Sequence, residues 1–257
     1  MIPKLEVKHL SYSYHSMDGE MKALSNICFS VNKGEFLAIV GPSGCGKSTL
    51  LSLISGLLVP SDGEICIDGK KTCGGDARIG YMLQKDHLLE WRSILANVCL
   101  GLEIQKKLNE VTKEQVRKLL MTYGLGAFED MKPSELSGGM RQRAALIRTL
   151  ALQPDVLLLD EPFSALDYQT RLSVCDDISM IIRSQGKTAV LVTHDLSEAV
   201  SAADRIIVLT QRPAQIKTAI PICFPDNANS PLLRRNCPEF SSYFNEVWKS
   251  LREGGTL

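Results

Sequence analysis

Gly41-Pro42-Ser43-Gly44-Cys45-Gly46-Lys47-Ser48-Thr49 stands between the continuously apolar run Phe36-Leu37-Ala38-Ile39-Val40 and a stretch of helical spacing over 48–58. It satisfies the pattern GxxxxGK[ST] in the context that gives the pattern meaning, a strand buried on both faces leading into a helix. The glycines let backbone N–H groups turn inward around a polyphosphate. The helix start adds the positive end of a dipole, and Lys47 brings a full charge to the β and γ oxygens. Ser48 is placed to ligate Mg²⁺.

Working outward, residues 5–14 alternate as an edge strand, 15–22 form a polar stretch, and 27–31 read as a second strand with a turn at 32–34. A turn at 60–63 precedes a short strand over 64–68, and 79–83 is another buried-strand candidate. From 91 to 152 the pattern is amphipathic helix, interrupted at 124–126 and at Pro133. Strands then resume at 156–159, 189–193 and 205–209, separated by helices over 168–184 and 196–203. That alternation predicts a parallel sheet with covering helices and a helical insertion. Residues 213–238 read as loop with one edge strand, before a closing amphipathic helix over 239–252.

Bulk properties exclude more than they identify. At 257 residues and 44% hydrophobic, the chain is long enough for one large core. Lys plus Arg and Asp plus Glu are equal at 29 each, so no basic field points to nucleic acid. The eight cysteines show no zinc spacing and read as reduced cytosolic thiols, mostly small core residues. The N-terminus lacks the pattern of a secretory signal, and every apolar stretch is far shorter than the ~20 residues of a spanning helix. The chain is expected not to cross a membrane by itself.

A second chemical element is Val156-Leu157-Leu158-Leu159-Asp160-Glu161-Pro162, an apolar strand that delivers two carboxylates at its C-terminal end. Ligands of parallel sheets bind at that end. Asp160 is positioned to hold Mg²⁺, and Glu161 to polarise an attacking water as general base.

The discriminating segment is Leu136-Ser137-Gly138-Gly139-Met140-Arg141-Gln142-Arg143. It resembles the signature motif of ABC ATPases, a resemblance that extends from about residue 4 to 250. A hydroxyl and two glycines at a helix start make a second anion-binding surface. The resemblance implies an α/β P-loop NTPase (RecA-like) core with an antiparallel β edge subdomain and an inserted α-helical subdomain. In that division a single domain, 1–257, comprises a nucleotide-binding core of 1–85 and 154–257 and a helical signature subdomain of 86–153. It also implies a head-to-tail homodimer in which Ser137, Gly138 and Gly139 of one chain close over the γ-phosphate of an ATP held by Lys47 of the other.

Other elements of the family pattern are similar. Tyr14 is placed like the aromatic that stacks on adenine, with Tyr12 as rival. Gln84 matches the glutamine that reaches Mg²⁺ and water. Ser164-Ala165-Leu166-Asp167 resembles the segment crossing the dimer interface, and His194 the histidine that contacts the γ-phosphate. Asp195 and Glu198 have capping-box-like spacing and are assigned to structure. Met140 departs from the family, where glutamine is frequent, and puts a contact near the ribose in doubt.

Within the family, Lys85-Asp86-His87-Leu88-Leu89-Glu90-Trp91, the run Asn97-Val98-Cys99-Leu100-Gly101-Leu102-Glu103 and the closing stretch resemble nitrate, sulfonate and taurine importer cassettes, with Glu90 where those often have proline. This resemblance implies a separate membrane permease, an extracytoplasmic solute-binding protein acting indirectly, and a peripheral place on the cytoplasmic face of the membrane. Leu88, Leu89 and Trp91 are candidates to line the groove, near Gln84 to Trp91, that receives the permease's coupling helix; a core role is equally open. A soluble ABC ATPase of repair, translation or iron–sulfur assembly, and an exporter or lipoprotein-release cassette, stand as alternatives. Nitrate, alkanesulfonates, taurine and thiamine-precursor pyrimidines are not distinguished by these residues.

Overall fold

Segments apolar at every position cannot face water on either side, so they pair in the middle of a sheet covered by helices. Phe36–Val40 (β3), Val156–Asp160 (β7) and Thr188–Val192 (β8) are buried along their whole length. The computed structural model describes residues 2–16, 19–72 and 74–252. In it these strands join Ile79–Met82 (β6), Arg205–Leu209 (β9) and Ile216–Pro221 (β10) in one sheet of order β10-β9-β3-β8-β7-β6. All neighbours are parallel except β10, which returns antiparallel to β9. The chain leaves β3 for the far edge at β6, walks back through β7 to β8, then passes β3 to reach β9. That reversal makes the carboxyl end of β3 a topological switch point, where open α/β sheets place their ligands. This is the P-loop NTPase fold.

A second, antiparallel sheet of order β2-β1-β4-β5 is built from Leu5–Ser16 (β1), Gly19–Val31 (β2), Asp62–Ile67 (β4) and Lys70–Lys71 (β5). Here the reading of 15–22 as a plain polar stretch fails at 15–16 and 19–22, while 17–18 lie outside the described residues. β1 runs on to Ser16, and β2 starts at Gly19 with exposed residues before its buried half. Hairpin pairing from Tyr14↔Met21 to Ser16↔Gly19 satisfies that backbone, so no apolar pattern was needed there.

Helix Lys47–Ile54 (α1) buries Leu50, Leu51, Leu53 and Ile54 between the two sheets. It stops short of the expected 58, where Ser55 turns its hydroxyl onto the Ser52 carbonyl at 3.0 Å. On the other face of the large sheet lie Tyr168–Ser184 (α5), Leu196–Ala202 (α6), Pro231–Arg235 (α7) and Pro238–Arg252 (α8). α7 lies within 213–238, which reads as loop from sequence; Ser230 caps it and Pro231 opens it, a start that sequence rules allow for even a short helix.

Ile94–Ile104 (α2), Glu110–Thr122 (α3) and Gly138–Leu150 (α4) fill the helical insertion and enclose a separate apolar cluster around Val98, Leu120 and Ile147. α4 serves two cores, giving Ala144 and Ile147 to that cluster and Leu146 and Leu150 to the cluster beneath the sheet. No described helix is long and apolar enough to cross a membrane.

Candidate functional site

The carboxyl ends of β3, β6, β7, β8 and β9 each deliver site residues to one crevice. From β3 the chain enters the glycine loop, and α1 begins at Lys47 on a left-handed Gly46 (φ 118). A Cβ at Gly46 would lie 2.9 Å from Leu24 Cδ2, so glycine is required both for conformation and for the approach of β2. The Lys47 side chain is 7% exposed and donates to the carbonyls of Gly41 (2.9 Å) and Pro42 (3.0 Å). Its ammonium is held at the loop's mouth, where its charge faces an incoming phosphate.

Ser48 Oγ donates to Asp160 Oδ1 at 2.9 Å, bringing the two expected metal ligands together. Tyr81 of β6 donates to Asp160 Oδ2 at 3.2 Å. Burial raises the Asp160 carboxyl above its ordinary range, against the bonds from Ser48 and Tyr81 that lower it. The Tyr81 phenol is pushed up to about 12, first by burial and then by the Asp160 charge. One hydroxyl and one carboxylate form the hard-oxygen donor pair that magnesium accepts beside phosphate oxygens and water, so the residues fit the ion.

Glu161 follows at φ 45, a strained conformation for a glutamate, fixed by its N–H on the Val192 carbonyl at 2.8 Å. Its Oε2 lies 3.0 Å from His194 Nδ1 and accepts from Gln84 Nε2 at 3.3 Å. Gln84 Nε2 also reaches Ser164 Oγ at 3.3 Å. The three residues expected to act on water and γ-phosphate thus meet on one carboxylate. A His194 Nδ1–H donated to Glu161 leaves Nε2 free to address a phosphate or water.

These groups open onto a cavity of about 450 Å³, lined by Ser43, Gly44, Gly46, Lys47, Ser48 and Thr49 of the loop and helix together with Glu161, His194 and Arg212. Gly41 and Cys45 form the loop's inner wall, a Cβ at Gly41 falling 3.0 Å from Cys45 Sγ. Cys45 is buried, and burial pushes its thiol up. At the rim Tyr14, partly exposed, exchanges a hydrogen bond with Thr49 Oγ1 at 2.8 Å and meets Tyr12 edge-on at 5.0 Å. Tyr12 packs against the inter-sheet core, leaving Tyr14 as the ring near the loop.

Ser137, Gly138, Gly139 and Asp167 do not line this cavity. Ser137 caps α4 by accepting from Met140 N, and Asp167 caps α5 by accepting from Thr170 N. Ser137 and Gly138 are exposed while Gly139 is buried against Thr170 and Val174. Met140 is half-buried and packs against the helical cluster. Leu88 is buried in that cluster, whereas Trp91 is 75% exposed.

Sequence reasoning missed Tyr81 and Arg212 at this site, and it placed Ser164 only in the interface-crossing segment, not beside Gln84. The first is an inward position of a strand whose neighbours drew attention only as core. Arg212 follows the end of β9, and the rule that ligands gather at strand carboxyl ends was the signal for it. Asp195 caps α6 as expected, through Ser197 N and Glu198 N. Glu198 does not complete the capping box: its carboxylate accepts instead from Thr193 Oγ1 at 2.6 Å and lies 3.9 Å from Arg171 Nε.

Comparison with known proteins agrees with this geometry. The family model described as ABC transporter matches residues 24–164. An uncharacterised ABC transporter ATP-binding protein of Bacillus subtilis, YtlC, is 46% identical over 96% of this chain and 95% of its own. A taurine import ATP-binding protein, TauB, of Roseobacter denitrificans is 38% identical over 95% of this chain and 92% of its own. Among solved structures, the dimeric post-hydrolysis state of the ATP-binding cassette MJ0796 with ADP and phosphate superposes at TM-score 0.72, with 31% identity, over 86% of this chain and all of that one. The chain therefore belongs to the ABC transporter ATP-binding family and is an ATPase of that family.

Proposed function

We propose that the chain is the ATP-hydrolysing subunit of an ABC importer, working as a homodimer against a separate membrane permease at the cytoplasmic face. The observation that carries the reading is the convergence of Lys47, the Ser48–Asp160 pair and the Glu161–His194–Gln84 cluster at the carboxyl ends of parallel strands. The relatives named for taurine import support import over the other uses of the family. Uptake of a sulfonate- or nitrate-like anion, or a thiamine-precursor pyrimidine, is the substrate class we infer. The solute would be selected by the permease and an extracytoplasmic binding protein.

Tyr14 offers its ring to adenine, and residues 41–49 cradle the phosphates through backbone N–H groups and the start of α1. Lys47 neutralises charge on the β and γ oxygens. Ser48 and Asp160, with Gln84, would hold Mg²⁺, which supplies further neutralisation of the phosphate oxygens when bound. Glu161 takes a proton from water as the water attacks the γ-phosphorus, the bond to the β–γ bridging oxygen breaks, and ADP leaves with that electron pair. His194 orients Glu161 through Nδ1 and presents Nε2 to the γ-phosphate. Within one chain Ser137, Gly138 and Gly139 stand apart from this cavity, exposing a helix start for a second chain's nucleotide; Asp167 lies in the segment that would cross the interface.

We also propose the division expected from sequence, with 1–85 and 154–257 as the nucleotide-binding core and 86–153 as the inserted helical signature subdomain that carries Ser137, Gly138 and Gly139. Trp91, 75% exposed, and Leu83, exposed and next to Gln84 in sequence, are the apolar side chains of this stretch open to a coupling helix. The test is sedimentation of Glu161→Gln with and without ATP and Mg²⁺. A monomer that becomes a dimer only with nucleotide supports the sandwich; a chain that binds ATP and stays monomeric alone and with its permease refutes it. Failure to co-purify with any multi-span membrane protein from its native host would refute the transport role.

A further inference from the structure

We propose that Arg212 is a positioning residue for nucleotide, holding the Gly44 peptide so that the phosphate loop keeps its anion-binding shape before ATP arrives. The proposal rests on the reading of residues 41–49 as the phosphate cradle.

Gly44 is an exposed and unpacked point of that loop. It lies at φ +71, and a Cβ added there would meet nothing within 4 Å. With no packing to select an orientation, such a glycine peptide is free to turn unless something binds it. Arg212 does so, its Nη2 donating to the Gly44 carbonyl at 2.6 Å. The same peptide is held from its other side, where Cys45 N–H donates to the Pro42 carbonyl at 3.3 Å. That Pro42 carbonyl also accepts from Lys47 Nζ at 3.0 Å. One arginine is thus connected, through a single peptide unit, to the placement of the loop's lysine.

The guanidinium is itself presented from a fixed base. Thr210 N–H donates to the Gln215 carbonyl and Gln215 N–H to Thr210 Oγ1, both at 2.9 Å, closing the loop that carries Arg212. Two residues on, fully buried Ala214 donates to the Ala23 carbonyl and accepts from Ser25 N–H, each at 2.9 Å. Between those partners sits Leu24, the side chain against which Gly46 packs. Arg212 Nη1 meets Met21 Sδ at 3.0 Å, so β2 supports both the loop and the residue that clamps it. The bond to Gly44 is charge-assisted, donated by a guanidinium to a carbonyl.

A clamp of this kind acts on binding and not on the chemical step. Without it, the loop samples several peptide orientations and every nucleotide bearing a β-phosphate must select one. The experiment measures Kd for ATP and ADP with Mg²⁺, and KM and kcat for hydrolysis, on the full chain carrying Arg212→Gln or Arg212→Lys. Arg212→Gln is expected to weaken ATP and ADP alike by about tenfold and to raise KM in proportion, with kcat within about twofold of wild type. Arg212→Lys, which keeps a charged donor, recovers most of the affinity. Should Arg212→Gln fail to fold, Arg212→Met keeps the stem packed on Met21 and is read in its place. Wild-type affinity in a folded variant, or a loss confined to ATP, overturns the clamp. Lys47→Ala separates the two readings: if it abolishes ATP binding while the Arg212 variants bind normally, the cradle stands and the clamp falls, and if it binds ATP normally the cradle falls as well.

Discussion

Glu161 occupies a backbone conformation that glutamate avoids, at φ 45, and its carboxylate is met by both His194 and Gln84. Strain of this sort costs on the order of 1–3 kcal/mol and persists where the surroundings over-determine it. Glu161→Gly should therefore raise the melting temperature by a few degrees, about 1 kcal/mol of relief, while removing the carboxylate we propose as general base and so lowering kcat by on the order of 10²- to 10⁴-fold. Differential scanning calorimetry beside a phosphate-release assay checks both halves; an unchanged or lower melting temperature contradicts the strain. At this scale the sequence was legible wherever residue type and spacing both mattered. Lys47, Asp160, Glu161 and His194 stood out because a strand end and a chemical role coincided, and the fold brings them to one crevice. Arg212 escaped because its partner is a backbone carbonyl, which leaves no trace in side-chain patterns.

At the scale of elements, α6 begins just after His194 and carries Glu198 within its first turn. Glu198 is 3% exposed, and burial pushes its carboxyl from 4.5 to about 7, with Asp195 adding to the rise and Thr193, Arg171 and His194 opposing it. The folded chain thus keeps a proton that the unfolded chain loses, so stability is greatest below pH 4.5 for this group and falls as pH rises to about 7. Glu198→Gln keeps an acceptor for Thr193 and removes the titration. Urea unfolding at pH 8 is expected to show the variant more stable by on the order of 2 kcal/mol, with the gap closing toward pH 5; a gap independent of pH counts against it. The apolar strands were legible as unbroken runs, and α2–α4 as a change of period. The exposed first residues of β2 and all of α7 were not, because hairpin hydrogen bonds and a serine cap hold segments that carry no hydrophobic rhythm.

For the whole molecule, the question is what joins the helical insertion to the sheet. Arg148 of α4 donates from Nη1 to the His87 carbonyl at 2.7 Å and from Nη2 to the Asp86 carbonyl at 2.6 Å. Arg141, nearer the start of α4, pairs with Asp86 at 2.9 Å and Glu90 at 3.1 Å. The segment between Gln84 and Trp91 is therefore fastened to the helix that Ser137 caps, and movement of one carries the other. Arg148→Met keeps the stem and leaves two carbonyls without that donor. It should raise amide hydrogen exchange across 85–91 by about ten- to a hundredfold through the loss of the two charge-assisted bonds. Exchange unchanged from wild type would show that the segment is held by other means. This linkage was out of reach of the sequence, where Arg148 reads as one more cation on an amphipathic helix.

The end of α6 has a consequence for how the chain is made. Arg234 of α7 donates to the carbonyls of Ser201, Ala202 and Ala203, covering the open end of a helix only two turns long. A helix that short does not persist on its own. Ribosomes add roughly 5–20 residues each second, so Arg234 is synthesised some seconds after His194. During that interval the nascent chain already holds its phosphate loop and both acidic residues, yet the helix that seats its histidine lacks its closing contact. The carbonyl end of α6 therefore gains this cover only once α7 has been made.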